Sequence, residues 1–339
     1  MRALPEKNKN PSFDYDWLAR LAVEATQEEG LSATPGALKK RIKRLQVGLP
    51  AEDEFVAILT WLGKCTLIHR LDQMQMPPTS WNRYYIPDLL VVFNYENREI
   101  PVLIEVKTGK KQSLSLKAQQ VEGMRRYAEL LQLPLLIAWK FSSMRVWSLF
   151  ELDHLSHAVK NYNISFNIAQ QQNLMGLLAG DFLFKLRAGA GVHFVYKKLK
   201  KIREARCGEG RSEAWHVVLE KAYFSNGDGS PVETVGPELG YLILTSETEE
   251  YARVDEAHIY DGLRVPESEP FNWAHRVLET LLKWPLYEQQ VSWRKILREG
   301  RLPIECSKMR ESAQKGIPEK IVRFIFDILP HKRPLFLSD

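Results

Sequence analysis

Residues 87–107 read PDLLVVFNYENREIPVLIEVK, and the pattern of this segment predicts the centre of the fold. Two apolar runs, LLVVF and VLIEV, flank a polar turn, which is the pattern of two buried strands of a sheet. Asp88 opens the first run, and Glu105 and Lys107 lie at the end of the second. Residues two apart on a strand project to the same face, so Glu105 and Lys107 are expected to point together.

Two carboxylates and an ammonium at one end of a sheet are costly to bury unless a cation and a phosphate complete the charge balance. Phosphodiester hydrolysis uses such a set. Two carboxylates hold Mg²⁺, which acidifies an attacking water, and a lysine orients that water and stabilises the charged phosphate. The pattern therefore favours Asp88, Glu105 and Lys107 as catalytic residues, and the alternative is a structural salt bridge at a sheet edge.

A third carboxylate, Glu52, lies in a helix predicted over residues 52–62. Phe55, Val56 and Leu59 form the inward face of this helix, and Glu52 occupies the same stripe one turn earlier. A carboxylate in the first turn is also stabilised by the helix dipole. The pattern leaves both roles of Glu52 open, either facing a metal or capping the helix.

Alternating helices and strands surround this stretch. The further elements predicted around it are strands at 65–70, 135–141 and 145–149 and a long helix at 115–131. Together they predict an α/β core with a mixed central sheet flanked by helices. The expected organisation is a small helical arm at 1–49, the core at 50–155, and an α+β extension at 156–339.

The periodicity of the extension is weaker, and its predictions rest on short apolar runs. The elements predicted there are helices at 173–186, 273–282 and 319–329 and short strands at 241–245 and 258–260, with a basic segment at 192–211. We expect the arm and the extension to contribute DNA recognition, self-association or regulation.

Several short motifs follow one another along the first half of the chain. They are Ala51-Glu52, Leu59, Gly63, a strand ending in Arg70, Pro87-Asp88, Glu105-Val106-Lys107, Gln120-Val121 and Ala138-Trp139-Lys140-Phe141. Over about residues 50–150, this order resembles the archaeal Holliday junction resolvase branch of the PD-(D/E)xK nucleases. The arm before residue 50 and the extension after 150 are not part of a compact resolvase.

This resemblance implies a restriction-endonuclease-like fold and a divalent cation, Mg²⁺ or Mn²⁺. The implied ligands are Glu52, Asp88, Glu105 and the carbonyl of Val106. It further implies that Lys107 is the catalytic lysine, that Gln120 is the glutamine of the helix after the site, with Gln119 as its substitute, and that the products carry 5′-phosphate and 3′-hydroxyl ends.

The charge balance is compatible with a polyanionic partner. The chain has 47 Lys and Arg against 42 Asp and Glu, a formal charge of +5, and basic side chains bind nucleic acid through the phosphate backbone. The candidate phosphate contacts are Arg70, Lys110, Lys111 and Lys140. Ordinary solvated surface lysines are the alternative for each of them.

We therefore expect a metal-dependent DNA endonuclease that acts in restriction, defence, mobile-element mobility or repair. Cutting both strands of a duplex generally requires two sites, so a homodimer or larger self-assembly is expected. The sequence has neither an apolar window long enough to span a membrane nor an apolar leader, which predicts a cytoplasmic protein with no membrane contact. The alternatives are a DNA-binding or scaffold subunit with the same fold, and an effector nuclease activated by a partner or ligand at the C-terminal region.

Overall fold

A computed structural model describes residues 51–72, 77–207, 210–232, 237–289 and 308–338. The helical arm predicted at 1–49 lies outside the described residues. The helices are α1 (51–62), α2 (Ala118–Leu131), α3 (Phe166–Gln171), α4 (Pro237–Thr245), α5 (Ala274–Gln289) and α6 (Met309–Lys315). The strands are β1 (Cys65–Arg70), β2 (Leu89–Tyr95), β3 (Arg98–Gly109), β4 (Ser113–Lys117), β5 (Leu135–Phe141), β6 (Val146–Glu151), β7 (Ser156–Ala158), β8 (Asn161–Ser165), β9 (Phe182–Leu186), β10 (Gly191–Cys207), β11 (Gly210–Ser225), β12 (Pro231–Val232), β13 (Glu249–Val254), β14 (His258–Arg264), β15 (Asn272–Trp273) and β16 (Val322–Asp327).

The central sheet has five strands in the order β1-β2-β3-β5-β6. Strands β3 and β5 are parallel because α2 carries the chain back between them, and the other neighbouring pairs are antiparallel. A positive φ at Glu96 and Asn97 closes the tight turn between β2 and β3, as expected for a two-residue hairpin loop. The expected α/β fold with a mixed central sheet is confirmed, and a β-rich C-terminal region follows it.

The two faces of the central sheet are covered by different helices. On one face, Phe55 and Leu59 of α1 pack against Ile104 and Val106 of β3. On the other face, α2 packs through residues such as Met124. Side chains alternate between the faces along a strand, so the even-numbered residues of β3 lie under α1 and the odd-numbered residues lie under α2.

The region after the core forms two further sheets. The larger has the order β12-β11-β10-β14-β13, and the smaller has the order β15-β9-β16 and packs with α4, α5 and α6 around a second apolar core. Strands β7 and β8 pair with β4 of the first half, so the chain directly after residue 155 is hydrogen-bonded to the core. No helix of the described residues is long and apolar enough to cross a membrane.

Three predicted elements are wrong, and a fourth begins later than predicted. The helix predicted at 173–186 is a π-helical turn at Met175–Ala179 followed by β9, because Gly180 has a φ of 88° and ends the helical turn. The strand predicted at 241–245 is the end of α4, and the helix predicted at 319–329 is largely β16. The helix predicted from residue 115 begins only at Ala118, after β4. Short apolar runs satisfy helix and strand patterns alike, so packing decides between them.

Candidate active site

The register of β2 and β3 brings two acidic residues to one end of the central sheet. Leu89 of β2 pairs with Ile104 of β3, so extending the antiparallel ladder by one residue places Asp88 opposite Glu105. The Oδ2 atom of Asp88 accepts a hydrogen bond of 2.7 Å from the backbone N–H of Val106. Asp88 is therefore fixed beside the end of the strand that carries Glu105 and Lys107.

Glu105 is completely buried, with a relative exposure of 0%. Its Oε1 atom accepts hydrogen bonds from the amine of Lys107 and, at 3.0 Å, from the Nε2 atom of Gln120 at the start of α2. Its Oε2 atom has no hydrogen-bond partner among the described residues. A buried charged oxygen without a partner costs roughly 1–3 kcal/mol or more. The side chain of Glu105 is therefore held by one oxygen, while its other oxygen is left unsatisfied at this cost.

The amine of Lys107 lies among negative charges. Burial lowers the pKa of this amine, but the carboxylates of Glu105 and Asp88 and, to a smaller extent, the phenol of Tyr85 raise it, and the net pKa lies above its ordinary value. The Nζ atom also lies 3.3 Å from the carbonyl oxygen of Val106. Lys107 is therefore an ammonium donor held against Glu105.

Glu52 comes from the other helix that covers the sheet. It belongs to α1, which covers the opposite face of the sheet from the one onto which Glu105 and Lys107 project. Its Oε2 atom pairs at 3.1 Å with the guanidinium of Arg70, which also binds Asp53. In the described parts of the chain, no three His, Cys, Asp or Glu side chains are grouped closely enough to hold one ion, and the metal role expected of Glu52 stays a prediction.

Arg70 and Lys140, two of the predicted phosphate contacts, have protein partners. Arg70 is hydrogen-bonded to the carboxylates of α1. The amine of Lys140 is 11% exposed and contacts Glu54 of α1 and Glu279 of α5, the latter at 3.2 Å. Lys140 projects under α1 because it is an even-numbered residue of β5, in register with Thr108 of β3. The structure thus gives Lys140 a buried ion-pair network in place of the expected phosphate.

Lys110 and Lys111 follow the strand that carries Glu105, and both are exposed. Their predicted contact with phosphate stays a prediction. Tyr85 also lies near the site, and the sequence patterns gave it no catalytic role. The segment around Tyr85 reaches the site because Gly123 in α2 has no side chain, and a Cβ atom there would lie 3.1 Å from the backbone nitrogen of Tyr85.

Sequence reasoning also missed Asp53, Glu54 and Glu279. The run of three acidic residues at 52–54 was a signal in the sequence, because consecutive residues of a helix face different directions and one of them is then forced toward the sheet. Glu279 lies 139 positions from Lys140, and no local pattern connects the two residues.

The donor set fits a hard divalent cation. Asp88, the unsatisfied oxygen of Glu105 and the carbonyl of Val106 are oxygen donors at one end of the sheet. Mg²⁺ is commonly bound through one or two carboxylates and keeps several of its waters, so two carboxylates and a carbonyl are a sufficient protein contribution.

Comparison with known proteins gives a family match for part of the chain. Residues 76–183 match the family model described as archaeal Holliday junction resolvase (Hjc). Among solved structures, a similar chain is the Hjc Holliday junction resolvase of the archaeal hyperthermophile Archaeoglobus fulgidus, with 23% identity, a TM-score of 0.29, and coverage of 35% of this chain and 89% of that chain. No curated protein matches the chain. The resemblance to the archaeal resolvases, a PD-(D/E)xK-like nuclease family, is thus confirmed for residues 76–183.

Proposed function

We propose that this chain is a divalent-metal-dependent DNA endonuclease whose active site consists of Asp88, Glu105, Lys107 and Gln120. The observation that carries the proposal is the fully buried carboxylate of Glu105. One of its oxygens is held by Lys107 and Gln120, and the other has no partner among the described residues. The family match over residues 76–183 supports nuclease activity.

Asp88, Glu105 and the carbonyl of Val106 would hold Mg²⁺ or Mn²⁺. When bound, the cation supplies a water of lowered pKa and neutralises negative charge on the phosphate. The backbone N–H of Val106 orients Asp88, and the amide of Gln120 orients Glu105. The ammonium of Lys107 donates hydrogen bonds to the attacking water and to the phosphate oxygens, where charge develops in the transition state.

DNA is the proposed substrate, with 5′-phosphate and 3′-hydroxyl products. The exposed Lys110 and Lys111 lie directly after the strand of the site, where they would meet the phosphate backbone on either side of the cut. Since the matched family consists of Holliday junction resolvases, branched DNA belongs among the substrates to be compared.

The test is cleavage of supercoiled plasmid and of four-way junction, linear duplex and single-stranded DNA with Mg²⁺ or Mn²⁺. We expect the parent to cleave and Asp88→Asn, Glu105→Gln and Lys107→Ala each to lose about 10²-fold or more in rate. Asp153→Asn is the matched control, because Asp153 is an exposed carboxylate paired with Arg125, and its rate should equal that of the parent.

A second measurement reports on the cation directly. Saturating Mg²⁺, at about 100 times its dissociation constant, should stabilise the parent by about 2.7 kcal/mol in thermal or urea unfolding. Glu105→Gln should lose most of this gain. Cleavage that survives both Asp88→Asn and Lys107→Ala would show that the site is elsewhere in the chain.

A further inference from the structure

The hairpin formed by β10 and β11 extends beyond the sheet to which it belongs. Strand β10 pairs with β14 only from Gly191 to Lys197, and β11 pairs with β12 only at Phe224 and Ser225. The outer half of the hairpin, residues 197–207 and 210–218, therefore continues as a two-stranded ribbon. We call the segment 197–218 the arm, which is distinct from the helical arm predicted at 1–49.

Burial of apolar surface does not explain the arm. Along its described side chains, most are exposed, including Leu199 at 63% and Ile202 at 56%. A two-stranded ribbon without a covered face is marginally stable in water. A feature of this length that adds so little to the core points to a role in binding.

Bulges in β10 collect basic residues on one face of the arm. The register of β10 against β11 shifts between Lys198 and Lys200 and again between Lys201 and Arg203. At each bulge, two residues of one strand oppose one residue of the other, so a spacing of three in the sequence becomes a spacing of two on the ribbon. The paired positions on this face are Lys197 with Val218, Lys200 with His216, and Arg203 with Ala214.

The opposite face has its own internal contacts. Trp215 lies beneath the amines of Lys198 and Lys201, at 4.8 and 5.8 Å from its ring centroid. Glu213 accepts hydrogen bonds from Lys201 at 2.7 Å and from the Trp215 indole at 3.0 Å. These contacts hold the ribbon together and occupy the carboxylate of Glu213.

The basic face is different, because no ion pair or hydrogen bond joins the side chains of Lys197, Lys200 or Arg203 to another described residue. The sequence of the arm contains seven Lys and Arg and three Glu, a formal charge of +4 in 22 residues, whereas the entire chain carries +5. Most of the excess positive charge of the protein is therefore on this arm.

A polyanion of regular charge spacing suits this face. The major groove of B-DNA is about 12 Å wide and admits a two-stranded ribbon. The outer part of β10, Lys198–Cys207, faces the eight residues Gly210–Val217 of β11 across its two bulges, so it spans roughly 26 Å, about eight steps of duplex at about 3.4 Å per step. On the basic face, Lys197, Lys200 and Arg203 lie two ladder positions apart, so together they span roughly 13 Å and can follow about four steps of a phosphate strand at about 3.4 Å per step.

We propose that the arm binds duplex DNA through its basic face, with Lys197, Lys200 and Arg203 contacting backbone phosphates. The arm then holds DNA independently of the catalytic site, and its role in cleavage rests on the proposed function above. Because the contacts are to phosphates, binding depends steeply on salt and little on sequence.

The test measures binding in EDTA, where no cleavage occurs, by fluorescence anisotropy of a labelled duplex between ~50 and ~300 mM KCl. The arm variant is the full chain with Lys197→Gln, Lys200→Gln and Arg203→Gln. The control variant carries Lys160→Gln, Lys315→Gln and Lys332→Gln, three exposed lysines outside the arm and the site. Circular dichroism and thermal unfolding of both variants should match the parent, because all six residues are exposed.

We expect the slope of log Kd against log salt to fall by about 2.7 in the arm variant, since each phosphate contact contributes about 0.9. Affinity at ~150 mM salt should fall roughly 10- to 100-fold, and the control should change much less. An arm variant that loses no more affinity and slope than the control overturns the proposal. A parent that binds no duplex also overturns the proposal. The same holds for an arm variant whose only change is a lower oligomeric mass, because the arm would then be a contact between copies of this chain.

The cleavage assay keeps the two proposals apart. If the parent binds duplex through the arm but never cleaves, the function proposed above fails and the arm proposal stands. If the parent cleaves and the arm variant binds as well as the parent, only the arm proposal fails.

Discussion

Lys140→Ala is expected to destabilise the fold far more than it affects DNA binding. The amine of Lys140 lies between two buried carboxylates, Glu54 of α1 and Glu279 of α5, whose side chains are 9% and 1% exposed. The same cluster includes Arg145, which binds Glu279 at 3.1 Å, and the indole of Trp147, which donates to Glu54 at 3.1 Å. Removing the amine leaves two carboxylates in a low-dielectric environment, and of these Glu279 is still paired with Arg145.

Removal of one member of a buried ion pair typically costs about 3–5 kcal/mol, because the other charge remains buried without compensation. Here each carboxylate keeps a donor other than Lys140, Arg145 for Glu279 and Trp147 for Glu54. The expected loss is therefore near the lower end, about 3 kcal/mol. Lys111→Ala is the control, because this exposed lysine should change the free energy of unfolding by no more than about 0.5 kcal/mol.

The assay is urea unfolding of the parent, Lys140→Ala, Glu279→Gln and the double variant, with duplex binding measured in parallel. The two substitutions share a contact, so their effects should be less than additive, with an interaction energy of about 1 kcal/mol or more. The reasoning is refuted if Lys140→Ala unfolds like Lys111→Ala and instead loses DNA affinity, since Lys140 would then face phosphate as the sequence predicted.

Two further predictions concern local geometry. Gly123→Ala should displace the segment that carries Tyr85, because the new Cβ atom would lie 3.1 Å from the backbone nitrogen of Tyr85. The crowding costs about 1–3 kcal/mol, partly offset by about 1 kcal/mol of helix propensity, and the cleavage rate should fall about tenfold or more. A more stable variant with an unchanged cleavage rate would contradict this packing. Gln132→Gly should raise the free energy of unfolding, measured in urea, by about 0.5–1 kcal/mol. Gln132 ends α2 with a φ of 55°, a conformation that favours glycine, and its side chain is exposed. A loss of stability would show that the side chain of Gln132 makes a stabilising contact.

The central hairpin and its polar residues could be predicted from sequence because their signals are local. The alternation along β2 and β3 and the polar turn between them depend on a few neighbouring residues. The same alternation indicated that Glu105 and Lys107 share a face, and the structure places them in contact. In the C-terminal region the runs are shorter, and β9 and β16 were predicted as helices because an apolar run of this length fits both patterns.

Gln120 shows where local information ends. Its position near the start of α2 followed from the motif order, but a polar residue on an amphipathic helix has no preferred partner in the sequence alone. Its hydrogen bond to Glu105 exists because α2 packs on the face onto which the odd-numbered residues of β3 project. The basic residues of the arm, which recur at every third position, are another case where local information is not enough. They share one face of the ribbon only because of the bulges of β10.

Local sequence patterns were therefore enough to predict the two strands of the site, the common face of Glu105 and Lys107, and the mixed α/β core. Tertiary structure alone decided that α1 lies on the other face, so that Glu52 pairs with Arg70, and that Lys140 is buried against Glu279 from the far end of the chain. The physical reason is that backbone periodicity is a property of neighbouring residues, whereas the partner of a buried charge depends on which helix covers which face of the sheet, and that is settled by packing over the entire chain.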